Sequence, residues 1–320
     1  MRVVVIGGTG HIGTFLVPRL VNAGHEVIVA SRGQREPYIP DPAWKEVRRV
    51  EIDRTGEDAA GTFGSRIAKL EADAVVDLIC FTPASAQQLV DALQPRRTLL
   101  LHCGTMWVHG RPTSVPVTED APRHPFGDYG IKKAAIEKLL LDATRRGDAR
   151  AVILHPGHLV GPGWRPVNPA GHFNPDVFTR IAHGETLQLP NEGMETVHHV
   201  HADDVAQAFE LALARADDAV GESFHVVSPA PLTLRAYGEA MFAHFGQPAR
   251  LEFLPWEEWR PTVTEDEATA TWDHIAHSPH GSIAKARQRL GYAPRYSSFE
   301  AVVESVDSLI AAGAVRLKPD

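Results

Sequence analysis

Met1-Arg2-Val3-Val4-Val5-Ile6-Gly7-Gly8-Thr9-Gly10-His11-Ile12-Gly13 joins a short β-branched run to a glycine-rich turn. The run predicts a strand buried on both faces, and the amphipathic residues 12–23 predict a helix that Gly24 ends. A second apolar run at 26–30 completes a βαβ unit of about thirty residues. In such a unit, glycines at these positions permit the tight turn, the approach of a pyrophosphate and close packing of helix on strand. The segment therefore predicts a dinucleotide site.

The residues that we expect to contact the cofactor follow from this unit. The second strand ends at Ser31 and Arg32, with no carboxylate to bind a ribose 2′-hydroxyl. A hydroxyl and a guanidinium suit a 2′-phosphate instead, so NADP(H) is favoured and NAD(H) stays possible. Asp53, after a third strand, is a candidate partner for the adenine amino group. The glycine-loop residues predicted to bind the cofactor are Gly7, Thr9, Gly10, His11, Ile12 and Gly13.

Composition excludes several classes of function. The chain has 320 residues and a formal net charge of −8, with no long basic block, which disfavours nucleic acid as a partner. No apolar segment has the length of a membrane span, and no signal peptide is recognisable, so we expect no membrane partner. The two cysteines, Cys80 and Cys103, lie in apolar runs and indicate buried thiols in a reducing cytoplasm.

Strand-like and helical segments alternate along most of the chain. This alternation predicts an α/β fold, a Rossmann-type doubly wound parallel sheet with a small C-terminal substrate-binding lobe. Residues 161–200 are rich in Pro, Gly, Asn and His, which is typical of a binding loop beyond the sheet. We assign 1–160 plus 201–228 to the dinucleotide-binding domain and 161–200 plus 229–320 to the substrate-binding lobe. The strands are expected at 3–6, 27–30, 47–52, 74–80, 98–103, 151–155 and 223–227, and the helices at 84–93, 129–146, 203–214, 234–245 and near 299–312.

Tyr129 and Lys133 stand four residues apart in a segment of helical character, so both project from one helix face. An ammonium beside a phenol favours the phenolate and lowers the tyrosine pKa from about 10 toward neutrality. A phenol tuned in this way suits proton transfer to a ketone or from an alcohol.

Four landmarks occur in order: the glycine loop, the run Leu100-Leu101-His102-Cys103-Gly104-Thr105, the Tyr129/Lys133 pair and His155-Pro156-Gly157. Together with His201-Ala202-Asp203-Asp204-Val205-Ala206 and Lys285-Ala286-Arg287-Gln288-Arg289-Leu290-Gly291-Tyr292, they resemble the extended short-chain dehydrogenase/reductases, the NAD(P)-dependent epimerase/dehydratase family.

The resemblance implies a role for each matching residue. Thr105 would hydrogen-bond the reacting oxygen, Tyr129 would be the acid/base, and Lys133 would tune Tyr129 and bind the nicotinamide ribose. His155 and Pro156 would contact the cofactor. Family members often pair through the helices at 84–93 and 129–146, which implies a homodimer.

The chain departs from the nucleotide-sugar members of that family. Val197 stands where an arginine usually grips the diphosphate, and His155 replaces another common arginine. Pro279-His280-Gly281-Ser282 also lacks the arginine often found there. Imidazoles are weaker diphosphate ligands than bidentate guanidiniums. We therefore expect a small-molecule substrate without a nucleotide diphosphate, bound by Trp107, His109, His158, Phe173, Asn174 and His199.

Histidine spacing raises a metal site as an alternative. His199 and His201 alternate near His198 and Asp203, and His274, His277 and His280 recur every three residues. The first group is explained by the family run and the second has no evident carboxylate or cysteine partner, so we predict no metal.

These observations favour an NADP(H)-dependent oxidoreductase that interconverts a secondary alcohol and a ketone on a small polar, sugar-like or cyclic substrate. One alternative is an NAD(P)-dependent sugar epimerase or dehydratase with transient hydride transfer. Another, from a different class, is a non-catalytic dinucleotide-binding regulatory or RNA-associated protein.

Overall fold

The computed structural model of the chain describes residues 1–318. In chain order the strands are β1 (Arg2–Ile6), β2 (Glu26–Ser31), β3 (Arg48–Glu51), β4 (Ala74–Asp77), β5 (Leu99–Cys103), β6 (Arg150–Pro156), β7 (His158–Val160), β8 (Leu187–Pro190), β9 (Thr196–Val197), β10 (His199–His201), β11 (Ser223–Val226), β12 (Leu232–Thr233) and β13 (Leu251–Leu254).

The α-helices are α1 (His11–Asn22), α2 (Arg54–Ala59), α3 (Phe63–Ala68), α4 (Pro83–Leu93), α5 (Gly127–Arg146), α6 (Asp176–Ala182), α7 (Ala202–Ala214), α8 (Ala216–Ala219), α9 (Leu234–His244), α10 (Trp256–Trp259), α11 (Glu265–His277), α12 (Ala284–Leu290) and α13 (Ser298–Ala311). Short 3₁₀ helices cover Pro42–Glu46, Gln94–Arg96, Met106–His109 and Arg260–Thr262. Within residues 1–318, no helix is both long enough and apolar enough to span a bilayer.

The main sheet has seven strands in the order β11-β6-β5-β4-β1-β2-β3, and every neighbouring pair is parallel. The strand order reverses between β1 and β4. In open α/β sheets, ligands bind in the crevice beyond the carboxyl ends of the strands at such a point. The predicted Rossmann-type, doubly wound parallel sheet is confirmed.

The β-branched run at the start of the chain forms the centre of this sheet because both of its faces are covered. Val3 and Val5 belong to the core beneath α1 and α7, whereas Val4 and Ile6 belong to the core beneath α3, α4 and α5. All four side chains are at most 1 % exposed. The alternation of the side chains thus explains why residues 3–6 contain no polar group.

The predicted strand at 74–80 ends three residues early, at Asp77. The Asp77 carboxylate accepts a hydrogen bond from the Ile79 backbone N–H at 3.3 Å and two from the Arg54 guanidinium at 2.5 and 2.9 Å. The chain therefore turns at Asp77 instead of continuing the strand. Arg54 begins α2, one of the two short helices that replace a single crossover helix between β3 and β4.

A second hydrophobic core is formed by residues between Val160 and Val315. It includes side chains of α6, α9, α11 and α13. It contains the fully buried Trp259, whose indole N–H donates to the Gln188 carbonyl at 3.0 Å. The sequence assigned residues 229–320 to the substrate-binding lobe. Helix α12 instead packs on α7 and β11 and belongs to the core of the main sheet. The other boundaries of the two domains stay predictions.

A substitution of Gly13 tests the close packing of α1 on β1. A Cβ at Gly13 would lie 2.2 Å from the Gly8 carbonyl oxygen, which is backbone and has little freedom to move. We expect Gly13→Ala to lower the free energy of unfolding by about 1–3 kcal/mol, as overpacking usually does. Chemical denaturation measures the change.

The matched control is Gly238→Ala in α9, where the nearest atom to a new Cβ is the flexible end of Leu251 at 3.1 Å. Helix propensity favours alanine there by about 1 kcal/mol, which offsets the contact. Equal destabilisation by the two substitutions would contradict the role assigned to Gly13.

Candidate active site

One face of α5 carries three ionisable side chains at intervals of four residues, Tyr129, Lys133 and Glu137. Lys133 is 2 % exposed, and its ammonium donates a hydrogen bond to the Cys103 carbonyl at the end of β5, at 2.7 Å. Its Nζ also lies 4.9 Å from the centre of the Phe81 ring. The predicted helix face is thus confirmed, and it faces the carboxyl end of β5.

Thr105 lies immediately beyond β5, where the chain enters the 3₁₀ turn Met106–His109. Its Oγ1 accepts a hydrogen bond from the Trp107 backbone N–H at 3.3 Å, and its own backbone N–H donates to His155 Nδ1 at 3.0 Å. The Thr105 hydroxyl also interacts with the Tyr129 hydroxyl and lowers the Tyr129 pKa. The structure therefore brings Thr105, Tyr129 and Lys133 together, as the sequence predicted.

The predicted lowering of the Tyr129 pKa is wrong for this structure. Burial of the hydroxyl raises the Tyr129 pKa to about 12, and the nearby Thr105 side chain opposes the rise only in part. The Lys133 ammonium lies 5.8 Å from the centre of the Tyr129 ring and is bonded to Cys103 instead. Burial also lowers the pKa of Lys133. Helical spacing alone did not reveal that the Lys133 ammonium is buried and bonded away from the Tyr129 hydroxyl.

A cleft of about 550 Å³ opens at the strand-order reversal, and the residues around it fit a dinucleotide. Gly7 has a left-handed φ of +81°, and α1 begins after Gly10 with no side chain capping its free N–H groups. Such a helix start binds phosphate. The predicted cofactor residues that line the cleft are Gly7, Thr9, Gly10, Ser31, Arg32 and Asp53.

Three other glycine-loop residues that were predicted to bind the cofactor do not line the cleft. The His11 ring is buried, donates from Nε2 to the Val160 carbonyl at 3.1 Å, and stacks on Trp164. Ile12 belongs to the core, and Gly13 is packed against Gly8. Their contribution to the cleft is therefore the backbone geometry of the loop. Sequence reasoning missed Arg35, which also lines the cleft close to Arg32 in the chain.

A second cavity of about 360 Å³ has Thr105 and Tyr129 in its wall. Of the predicted substrate residues, Trp107, His158 and Phe173 line it. Pro156, predicted to contact the cofactor, also lies here. The full lining is Thr105, Met106, Trp107, Tyr129, Pro156, Gly157, His158, Leu159, Trp164, Val167, Phe173, Ala270, Asp273, His274 and Pro279.

The other three predicted substrate residues lie outside this lining and have structural partners. His109 Nε2 is 2.8 Å from His225 Nε2, and His199 Nε2 donates to the Val167 carbonyl at 3.0 Å. The Asn174 amide donates to Glu267 at 2.7 Å. Sequence position near the loop was thus a poor guide to side-chain direction, since His109 and His199 are buried among other side chains and the half-buried Asn174 is held by Glu267.

Two further predicted cofactor residues, Lys133 and His155, line neither cavity, and His155 is fully buried. It lies behind Thr105, between the Thr105 backbone N–H and the Glu137 carboxylate. Any effect of its ring on the cavity wall therefore acts through Thr105.

The family model described as "NAD dependent epimerase/dehydratase family" matches residues 3–226. The chain belongs to this family. The 2′-dehydrokanamycin reductase of Streptomyces kanamyceticus is 30% identical over 281 residues, which cover 86% of this chain and 76% of that protein. The dTDP-6-deoxy-L-talose 4-dehydrogenase (NAD(P)(+)) of Kitasatospora kifunensis is 27% identical, with 95% of this chain and 94% of that protein covered.

The solved structure of the UDP-glucose 4-epimerase of Thermotoga maritima has the same fold, with a TM-score of 0.73 at 20% identity and 98% and 99% of the two chains covered. The resemblance to extended short-chain dehydrogenase/reductases is thereby confirmed, and the chain is an NAD(P)-dependent enzyme of the epimerase/dehydratase family.

The charge of the second cavity bears on what it can bind. Among residues 1–318, no lysine or arginine lines the cavity, and Asp273 is its one charged side chain. Burial lowers the pKa of His274 to about 4 and that of His158 well below its usual value, so both imidazoles are uncharged at neutral pH. Asp273, His274 and Trp164 were missed as lining residues, although the histidine spacing in α11 was visible in the sequence.

The histidine groups considered as metal sites bind protein atoms instead. His198 Nε2 donates to the Ser228 carbonyl at 2.9 Å, and His201 Nε2 is 3.0 Å from Glu304. In the described part of the chain, one group of side chains is close enough to share a metal ion, Asp77, Cys80 and His102. The Arg54 guanidinium already occupies both Asp77 carboxylate oxygens, so a metal cation there would meet a buried positive charge.

Proposed function

We propose that this family member is an NADP(H)-dependent oxidoreductase that interconverts a secondary alcohol and a ketone on a small polar, sugar-like or cyclic substrate. One observation carries the proposal. The Thr105 and Tyr129 hydroxyls lie in the wall of a cavity whose lining in the described residues has no cation. Lys133 stands behind them, against Phe81 of the dinucleotide cleft.

Proton transfer is assigned to the chain's own residues. The bound nicotinamide would supply the hydride for ketone reduction. With a pKa of about 12, Tyr129 keeps its proton at neutral pH and can donate it to the ketone oxygen. The Thr105 hydroxyl is placed to hydrogen-bond the same oxygen, since it interacts with the Tyr129 hydroxyl. The buried Lys133 ammonium adds positive charge behind the developing alkoxide.

The preference for NADP(H) rests on the end of β2. Ser31, Arg32 and Arg35 line the dinucleotide cleft, and both arginines are exposed and free to meet a 2′-phosphate. Guanidinium to phosphate pairing is strong and geometrically specific.

The name of the Streptomyces kanamyceticus relative supports net reduction of a ketone on a sugar-like substrate without a nucleotide. Other relatives are named UDP-glucose 4-epimerases, so epimerisation is the competing function. The cavity favours a substrate without a nucleotide diphosphate, because a diphosphate would bring negative charge to a lining whose one charged group among the described residues is Asp273.

The homodimer also belongs to this proposal. Helices α4 and α5 pack side by side on one face of the sheet, and Ile131 on α5 is 53% exposed. Ile131 is an exposed apolar residue on a helix that the family resemblance places in the subunit contact. A cytoplasmic location likewise stays a prediction.

Replacement of Tyr129 tests the chemistry. We expect Tyr129→Phe to lower kcat for NADPH-dependent ketone reduction by about 10²–10⁴-fold, the usual contribution of a general acid. The wild-type rate should not fall as the pH rises past the ordinary tyrosine pKa of about 10, since the protonated form is active in this direction. Steady-state NADPH oxidation measures both.

Tyr296→Phe is the matched control, because Tyr296 stacks on His201 away from both cavities and should leave the rate unchanged. Unchanged turnover in Tyr129→Phe would remove the assignment. Isomerisation of a sugar with no net loss of NADPH would support the epimerase instead.

Removal of the arginines tests the cofactor preference. A hydrogen bond to a charged group contributes about 1.5–3 kcal/mol, so Arg32→Ala combined with Arg35→Ala should weaken NADPH binding by roughly 10–100-fold. NADH affinity should change little, because NADH has no 2′-phosphate. Fluorescence titration with both cofactors measures this, and Arg96→Ala, whose guanidinium pairs with Glu71 far from the cleft, is the control. Wild-type affinity for NADH equal to that for NADPH would refute the preference.

Nucleotide binding tests the substrate class. Because the second cavity lacks a cation among its described lining residues, we expect UDP and dTDP to bind the NADPH-loaded enzyme more weakly than about 1 mM, which corresponds to about −4 kcal/mol. Isothermal titration calorimetry measures this, and micromolar binding of either nucleotide would contradict the substrate class.

A further inference from the structure

We propose that His155 and Glu137 are positioning residues that hold Thr105 in register with Tyr129, rather than residues that contact the cofactor. This inference rests on the proposed function, since it assigns the placement of Thr105 a role in turnover. Neither residue lines the dinucleotide cleft or the second cavity.

The hydrogen bonds determine which nitrogen of His155 carries the proton. The Thr105 backbone N–H donates to His155 Nδ1 at 3.0 Å, and a backbone N–H has no ability to accept. Nδ1 must therefore present its lone pair. His155 Nε2 lies 3.0 Å from Glu137 Oε1, so its proton is donated to the carboxylate. The ring thus has a single tautomer that joins the Thr105 backbone to α5.

The carboxylate end of this chain of bonds is itself fixed. The Arg123 guanidinium makes two hydrogen bonds to Glu137, at 2.7 and 3.0 Å, and a third to the Glu119 carbonyl at 2.7 Å. Burial alone would raise the Glu137 pKa, but the hydrogen bonds from His155 and Arg123 hold it well below its usual range. Glu137 is therefore a permanent anion and acceptor at neutral pH.

The local backbone is shaped for this contact. A Cβ at position 104 would lie 2.3 Å from His155 Nδ1, so only glycine lets the ring approach the turn after β5. The close approach of the His155 ring thus explains why position 104 is glycine, and this requirement is separate from the nucleotide site. The His155 ring fits between β5 and α5 with no exposed surface.

Three residues of α5 consequently contact the end of β5 and the turn that follows it. Tyr129 interacts with the Thr105 hydroxyl, Lys133 donates to the Cys103 carbonyl, and Glu137 reaches the Thr105 backbone through His155. These three side chains are spaced by four residues and share one face. Loss of the His155 link would free the Thr105 backbone while the other two contacts remain.

Two substitutions of His155 separate positioning from general stability. Asn places its amide oxygen near Nδ1 and keeps an acceptor for Thr105, whereas Gln places its amide near Nε2 and keeps only the partner of Glu137. We expect His155→Gln to lower kcat for ketone reduction by about 10–100-fold, as small misplacement of a reacting group does. His155→Asn should stay within a few-fold of wild type, while both variants should show similar losses of Tm and an unchanged Kd for NADPH.

Amide hydrogen exchange gives a readout that does not depend on turnover. The Thr105 amide should exchange faster in His155→Gln than in His155→Asn. In the wild-type enzyme, nitrogen-15 NMR should show His155 with a bare Nδ1 and a protonated Nε2, which tests the geometry even where a variant does not fold.

Equal losses of kcat in the two variants, or equal exchange of the Thr105 amide, would overturn the positioning role, as would a proton on Nδ1 in the wild type. Failure of the proposed function looks different. In that case wild-type ketone reduction would be absent or would survive Tyr129→Phe, while the difference in Thr105 exchange would remain.

Discussion

The buried ammonium of Lys133 is the constraint on which the candidate site depends. A charged group removed from water is costly unless it is hydrogen-bonded, and the Cys103 carbonyl supplies that partner at 2.7 Å. The bond fixes α5 against the carboxyl end of β5. With this contact in place, helical geometry directs Tyr129 outward to the second cavity and Glu137 inward to His155. One buried charge thereby determines where Tyr129, the proposed acid/base, stands.

The sheet could be predicted from sequence because its signals are local. A strand buried on both faces must be apolar throughout, and the run at 3–6 satisfies this without reference to any distant residue. The early end of β4 could not be predicted in the same way. Asp77 ends that strand because Arg54, more than twenty residues earlier, meets it in space. Sequence patterns fail where a long-range ion pair determines the local backbone.

The same distinction separates the site residues. Thr105, Tyr129 and Lys133 could be found because their order and spacing follow the fold. The directions of His109, Asn174 and His199 depend on partners in distant segments, which the local sequence does not reveal. The prediction of a lowered Tyr129 pKa failed for a related reason. Spacing shows which charge is near in the chain, but desolvation depends on everything that surrounds the hydroxyl.

The chemical step and the choice of substrate rest on different parts of the molecule. Thr105, Tyr129 and Lys133 are held by β5 and α5, whereas Phe173, Asp273 and His274 come from the loop and helix of the second core. Changes in that second core can alter the charge of the cavity without moving Thr105, Tyr129 or Lys133. Burial keeps the imidazoles of His158 and His274 uncharged, so they offer hydrogen-bonding groups to the cavity without positive charge. A shared fold with nucleotide-sugar epimerases is therefore compatible with a different substrate, since recognition of the diphosphate is not built into the sheet.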